Sequence, residues 1–161
     1  MSMRIDPFLY SIIALISFAG SAAADPVVRY ACNTVGTAAP EPVGDRDGHT
    51  IVANQFTCVG MGGLLKGANY TAVNITEFDG PKGKYLLAGG VHRGQGGLVV
   101  TQALEGVTIF NMKDGKPVSF EGTGKAIVKF ASGPFAQLSG KTLNLTVKQT
   151  GLNRWDLEFF E

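Results

Sequence analysis

Apolar and polar residues alternate in short runs along most of the chain, most clearly near its C-terminal end. Between Thr142 and Lys148 every second residue is apolar, and a similar alternation runs from Arg154 to Phe159. Because successive side chains of a β-strand point to opposite faces, this pattern predicts two strands, each with one buried and one solvated face. A turn is expected between them at residues 150–151.

Six further strands are predicted upstream, each bounded by turn residues. Their ranges are 50–58, 69–78, 84–92, 98–104, 106–112 and 117–130. The dipeptide Asp114-Gly115 predicts a tight hairpin, because it supplies the positive φ that primed turns require. Glycines at positions 89 and 90 predict a bulge or sharp bend. No long window has the period of an amphipathic helix, although Pro134 is a candidate start for one helical turn.

About eight strands joined by short turns predict an all-β fold. Closing such a sheet removes its unpaired edges, and an eight-stranded barrel is either filled by side chains or holds one small ligand. The sequence therefore predicts an antiparallel, mostly up-and-down β-barrel over residues 50–161, with a two-sheet β-sandwich as the alternative. Residues 25–49 contain three prolines among small residues and are expected to be irregular.

The N-terminal residues have the pattern of a secretory signal peptide. A basic residue, Arg4, precedes an apolar run from Phe8 to Ala19, and the small residues Ala22 and Ala24 fit a cleavage site. We expect residues 1–24 to be removed after Ala24 and the protein to be secreted or periplasmic. The alternative is a retained membrane anchor, but the apolar run is shorter than the roughly 20 residues that a span needs. No later run is that long, so no membrane span is expected after cleavage.

Two cysteines, Cys32 and Cys58, lie in the part of the chain that would be exported. An even pair in an exported protein predicts a disulfide. The alternative, a redox-active or nucleophilic thiol, lacks support because there is no C-x-x-C motif and no neighbouring histidine. We expect residues 25–49 to be tethered to the barrel by this bridge.

Charge and short motifs exclude several classes of function. The net charge is +1 with both signs interspersed, so there is no surface that would follow nucleic-acid phosphates. The glycine-rich segments 60–63 and 94–97 do not open a helix and lack the Gly-Lys-Ser/Thr of a phosphate-binding loop. There is also no Gly-x-Ser-x-Gly elbow of a hydrolase. No cofactor is expected.

The segment Gly44–Thr50 concentrates charged residues and is the first candidate site. Asp45, Arg46, Asp47 and His49 lie within five positions. A calcium loop would need a Glu at its twelfth position, where Phe56 stands, and zinc would need Cys58, which we assign to the disulfide. No metal site is predicted. The segment is interpreted as a charged turn, with ligand or partner contact and an acid–base cluster as alternatives.

Histidines and aromatic residues provide the other candidates. His49 and His92 are the only histidines, and both lie at ends of predicted strands, so they could meet at one barrel mouth and supply a general base. The alternative is two ordinary strand-end histidines. Strand aromatics such as Tyr85 and Trp155 are expected in the core, or lining a pocket if too many point inward. Glu121, beside Phe120 in an alternating run, is expected to face solvent.

The signal peptide, the cysteine pair, residues 44–49 and the run Glu-Gly-Thr-Gly-Lys at 121–125 resemble small exported bacterial proteins. From about residue 50 onward, the strand plan and glycine placement are similar to calycin-like barrels, especially the allene oxide cyclase and dirigent-type group. The lipocalin signature Gly-x-Trp is absent, because Trp155 is the single Trp. The resemblance implies a barrel that binds or steers an apolar small molecule in its lumen, and it supplies no catalytic motif.

These observations lead to three hypotheses about function. The first is an exported barrel that binds a small, mainly apolar ligand without catalysis, in contact with some of the candidates Asp45, Arg46, Asp47, His49, His92, Tyr85 and Trp155. The second is an envelope interaction or inhibitor protein that acts through its loops. The third is a cyclase- or isomerase-type enzyme with an acid–base group in the lumen. Fold analogy ranks them in this order.

Overall fold

A computed structural model of the protein describes residues 26–161, so the predicted signal peptide lies outside the described residues. This part of the chain forms nine strands and one short 3-10 helix, Gly133–Leu138. The strands are β1 Val28–Val35, β2 Glu41–Pro42, β3 His49–Gly63, β4 Asn69–Asp79, β5 Lys82–Gly94, β6 Gly97–Lys113, β7 Lys116–Ala131, β8 Thr142–Gly151 and β9 Arg154–Phe160.

Eight of these strands close into an antiparallel up-and-down barrel, which confirms the predicted fold class. Each strand from β3 to β9 pairs with its neighbours in sequence. Strand β1 lies between β9 and β3 and pairs with both, which closes the cylinder. The two-residue strand β2 pairs with Thr50 and Ile51 of β3, beyond the part of β3 that pairs with β1.

The interior of the barrel is built by the period-two alternation of its strands. On β9 Trp155, Leu157 and Phe159 are buried while their neighbours are more exposed, and on β8 Leu143 and Leu145 follow the same rule. The two C-terminal strands predicted from alternation are therefore confirmed. Glu121 is exposed and Phe120 packs against the core, as predicted from their adjacent positions.

The two ends of the barrel differ. At one end, which we call the floor, the 3-10 helix buries Phe135 and Leu138 against the start of β6 and the end of β7. At the other end, the mouth, the β4–β5, β6–β7 and β8–β9 hairpins turn. The β6–β7 turn contains Asp114 and Gly115, both at positive φ, as the dipeptide predicted.

Two predictions about the strands are wrong in detail. Residues 25–49 are not irregular throughout, because β1 forms at Val28–Val35 and supplies the closing strand. The strands predicted at 98–104 and 106–112 are one strand, β6. A register shift between Ala103 and Glu105 leaves Leu104 unpaired with β7, and this bulge changes the phase of alternation where the sequence suggested a break.

The predicted disulfide is confirmed. Cys32 on β1 and Cys58 on β3 are directly opposite in the strand register, and their Cα atoms are 4.0 Å apart. Both side chains are buried. The bridge therefore joins the two strands whose pairing closes the barrel.

Candidate functional site

The barrel encloses a cavity that is open at the mouth. Its volume is about 350 Å³, and it extends between the two ends of the lumen. Large aromatic side chains from six positions form much of its wall: Phe56, Phe78, Phe110, Phe120, Trp155 and Phe159. Two exposed apolar residues, Val118 and Leu152, line it at the mouth. The cavity is therefore mainly apolar and has the size of a small-molecule site.

A few neutral polar groups interrupt this apolar wall. Asn54 on β3 and Asn74 on β4 face each other across the strand pair, and both line the cavity. The Nδ2 atom of Asn74 donates to Thr76 Oγ1 at 3.3 Å, but among the described residues neither Asn carbonyl oxygen has a hydrogen-bond partner. Rotation of an amide exchanges its donor and acceptor, so this pair could present either group to a ligand.

A connected polar cluster lies at the floor. Tyr70 and Thr101 line the cavity, and His92 and Tyr30 lie behind them. The Tyr30 hydroxyl is 2.8 Å from His92 Nδ1, and His92 Nε2 is 2.9 Å from Thr101 Oγ1. Tyr70 and Thr101 are linked at 3.3 Å between their hydroxyl oxygens. The cluster is a chain of four side chains that ends at the cavity surface.

Aromatic side chains bury the floor cluster. The rings of Tyr70 and His92, which are paired residues on β4 and β5, stack with centroids 3.8 Å apart. The ring of Phe159 packs nearly perpendicular to the rings of Tyr30, Tyr70 and His92. Burial lowers the pKa of His92 to about 3 and raises the pKa of Tyr70 to about 12. Burial also raises the pKa of Tyr30, so all three titratable side chains of the cluster are neutral at physiological pH.

The charged segment 44–49 lies at the mouth end but outside the lumen. His49 is 8% exposed, and its two ring nitrogens contact two carboxylates, Nδ1 with Asp45 and Nε2 with Glu77 at 2.9 Å. Arg46 bonds Asp45 at 2.8 Å and Asp79 on β4 at 3.3 Å. The segment is a charged turn, and ion pairs hold it against the outer face of β4.

The surroundings of His49 favour its charged form. Hydrogen bonds to Asp45 and then to Glu77 raise the pKa of His49, and the bond to His49 is the main cause that lowers the pKa of Asp45. An imidazolium can donate from both nitrogens at once, which a neutral ring cannot do. The two carboxylates bind opposite sides of the ring and do not converge on one point. Among residues 26–161 no group of three His, Cys, Asp or Glu side chains is arranged to hold a metal ion.

The two histidines do not meet at one barrel mouth. In the strand register His49 is opposite Asp79 and His92 is opposite Tyr70, at the two ends of β4. These partners are nine residue steps apart along β4, which corresponds to about 30 Å. The expectation that they could share a site is wrong. β3 and β5 run in the same direction, since each is antiparallel to β4, and His49 begins β3 whereas His92 lies near the end of β5.

The remaining candidates from the sequence have three different positions. Tyr85 and Trp155 line the cavity, and His92 lies one layer behind its floor. Asp47 is exposed, and no side-chain hydrogen bond or ion pair of Asp47 is present within the described residues. The sequence reasoning missed Asn54, Asn74 and Thr101. Each of these three is a polar residue at an inward-facing position of an alternating strand. A core filled by apolar side chains would exclude such a residue.

No protein-family model matches the chain, and neither a curated protein nor a solved structure is significantly similar to it. The resemblance to calycin-like and allene oxide cyclase barrels stays a prediction, because a closed eight-stranded barrel does not by itself identify relatives. Within residues 26–161, no helix has the length and apolar character needed to cross a membrane.

Proposed function

We propose that the protein is an exported β-barrel that binds a small, mainly apolar molecule in its lumen and performs no chemistry on it. The observation that carries this proposal is the cavity of about 350 Å³ with its aromatic wall. Small-molecule sites are typically apolar clefts of 300–1,000 Å³ with a few polar groups that orient the ligand. The paired amides of Asn54 and Asn74 and the hydroxyl groups at the floor would have that orienting role.

The non-catalytic part of the proposal rests on the groups that line the cavity. Among the described lining residues there is no carboxylate, amine, imidazole or thiol. General acid–base catalysis works best with a group whose pKa is near the working pH. The lining tyrosines, Tyr70 and Tyr85, have pKa values raised by burial, which keeps them protonated.

Export is supported by the disulfide and by the N-terminal pattern. Disulfides form and persist in oxidising compartments and are rare in the cytosol. The bridge between Cys32 and Cys58 is therefore compatible with the secretion or periplasmic location predicted from residues 1–24. A carrier that acts outside the cytosol is consistent with both features.

A fluorescence titration tests the proposal with N-phenyl-1-naphthylamine, an apolar dye whose emission rises in apolar sites. We expect saturable binding by the oxidised protein. Ala103→Phe places a phenyl group into the cavity and should weaken binding by about tenfold or more, because the substituent occupies the ligand's volume. Ala53→Phe, at an exposed position on β3, is the matched control and should bind as the wild type does. Absence of binding by the wild type, or unchanged binding by Ala103→Phe, would refute a lumen site.

A further inference from the structure

The floor cluster has a property that follows from counting its hydrogen atoms. Tyr30, Thr101 and Tyr70 each carry one hydroxyl hydrogen, and a neutral His92 carries one ring N–H. The four side chains therefore hold four polar hydrogens. They make three contacts in series: Tyr30 with His92, His92 with Thr101, and Thr101 with Tyr70. Each contact uses one hydrogen, so one hydrogen is left over in every arrangement.

Burial decides where the extra hydrogen lies. If His92 carried its hydrogen on Nδ1, the Tyr30 hydroxyl would accept it and its own hydrogen would have no acceptor in a fully buried position. A buried donor without a partner is costly. If the hydrogen is on Nε2, Tyr30 donates to Nδ1 and Nε2–H donates to Thr101. The extra hydrogen then belongs to Thr101 or Tyr70, the two members that line the cavity.

We infer that the lumen ligand carries a hydrogen-bond acceptor, a carbonyl or ether oxygen, at the end that reaches the floor. The inference rests on the proposed function and specifies its ligand class. The floor offers an O–H donor from Thr101 or Tyr70 that has no acceptor among the described residues. Tyr30 and His92 are positioning residues, because they set the direction of donation without touching the cavity. An apolar ketone, ester or ether fits this floor, and a pure hydrocarbon leaves its donor unpaired.

Two probe ligands of nearly equal shape test the inference. 4-Phenyl-2-butanone and (3-methylbutyl)benzene differ in that a carbonyl oxygen replaces a methyl group. Competition of each against N-phenyl-1-naphthylamine gives their affinities for the wild-type protein. Each affinity is corrected by that compound's own free energy of transfer from water to octanol, which removes the general preference of the hydrocarbon for apolar sites. After this correction we expect the ketone to bind about tenfold more tightly than the hydrocarbon.

Two Tyr→Phe variants distinguish two explanations of a ketone preference: a free O–H donor set by the hydrogen-bond chain, and direct contact of the ligand with the Tyr70 hydroxyl. Tyr70→Phe removes a cavity-lining hydroxyl, but it removes one hydrogen and one contact, so Thr101 keeps a hydrogen to donate to the ligand. The ketone preference should persist. Tyr30→Phe removes a hydroxyl that does not line the cavity. Either tautomer of His92 then leaves Nδ1 unpaired in a buried position, so the wild-type bias towards Nε2–H is lost. In the Nδ1–H form Thr101 donates to Nε2 and Tyr70 donates to Thr101, so the preference should fall severalfold.

The tautomer of His92 provides a readout that does not depend on ligand binding. Correlations between the ring nitrogens and carbons in an NMR spectrum should show the Nε2–H tautomer in the wild type and in Tyr70→Phe. Tyr30→Phe should shift the population towards Nδ1–H. Melting temperatures of both variants verify that they are folded.

The outcomes distinguish this inference from the proposed function. If the dye does not bind the wild-type protein, so that there is nothing for either probe to displace, the lumen site is wrong. If both probes bind and the ketone has no corrected advantage, the lumen site stands and the acceptor inference is wrong. An Nδ1–H tautomer in the wild type would also overturn it, as would a preference lost in Tyr70→Phe but kept in Tyr30→Phe.

Discussion

The disulfide is expected to determine the stability of the barrel closure. Cys32 and Cys58 join β1 to β3, the strands that meet where the cylinder closes, and 26 residues of sequence separate them. Replacing both with Ala removes the bridge without leaving one buried thiol unpaired. In the chain-entropy description, a bridge over a loop of this length contributes about 3.5 kcal/mol to the free energy of unfolding.

This free energy converts into a large change in melting temperature. For domains of this size each kcal/mol corresponds to roughly 3–4 °C, so the double variant should melt roughly 10–15 °C below the oxidised wild type. Calorimetry of the wild type with and without a reductant, alongside the variant, provides the comparison. The reduced wild type should approach the variant, because both lack the covalent loop.

Hydrogen exchange locates the effect. Amides in β1 and in the part of β3 that pairs with it should lose more protection than those between β7 and β8, which lie away from the closure. A variant that melts within about 2 °C of the oxidised wild type would refute the estimate, given the magnitude expected for such a loop. Uniform loss of protection in all strands would refute the localisation to the closing strands.

Two further predictions concern the mouth and the wall. His49→Gln should lower the melting temperature most below pH 6.5, the ordinary pKa of histidine, because the bonds to Asp45 and Glu77 raise the pKa of His49. The stabilisation by these two bonds is lost as pH rises through the raised pKa of His49. A difference in melting temperature between variant and wild type that widens above neutral pH would contradict the prediction. Gly106→Ala would place its Cβ against the ring of Tyr85, which should push the ring into the cavity and weaken dye binding severalfold. Gly62→Ala, where a Cβ meets no atom, is the control and should bind normally.

Much of the strand plan could be predicted from alternation, and the errors have clear physical origins. β1 itself alternates, with Val28, Tyr30 and Cys32 buried, but the prolines around it suggested irregular structure. Pro40 and Pro42 in fact follow β1, in a segment that forms only the two-residue strand β2. Proline is tolerated there because few backbone N–H groups have to donate to a neighbouring strand. The sequence predicts two strands where β6 is continuous, because the alternation of β6 changes phase at the bulge near Leu104 and such a change resembles a turn.

The cavity could not be predicted because its existence depends on how many inward side chains are small. Ala103, Ala126 and Thr108 line the lumen where larger residues would fill it. The inward orientation of Thr108 follows from the change of register at the β6 bulge, which the sequence alone did not reveal. Tyr85 and Trp155 were recognised as possible lining residues, since a barrel with an excess of inward aromatic residues cannot place all of them in a filled core.

His49 and His92 show why residue type and position near a strand end do not determine chemistry. His49 lies between two carboxylates on the outer face, which favour its charged form and fasten the mouth segment to β4. His92 is surrounded by aromatic rings, which disfavour charge and leave one hydrogen whose position a tyrosine can control. His49 begins β3 and His92 lies near the end of β5, which runs in the same direction, so these two environments are at opposite ends of one barrel. A pH change near neutrality therefore acts on the mouth segment, while the hydrogen-bonding character of the floor stays constant and ligand selection there should not vary with pH.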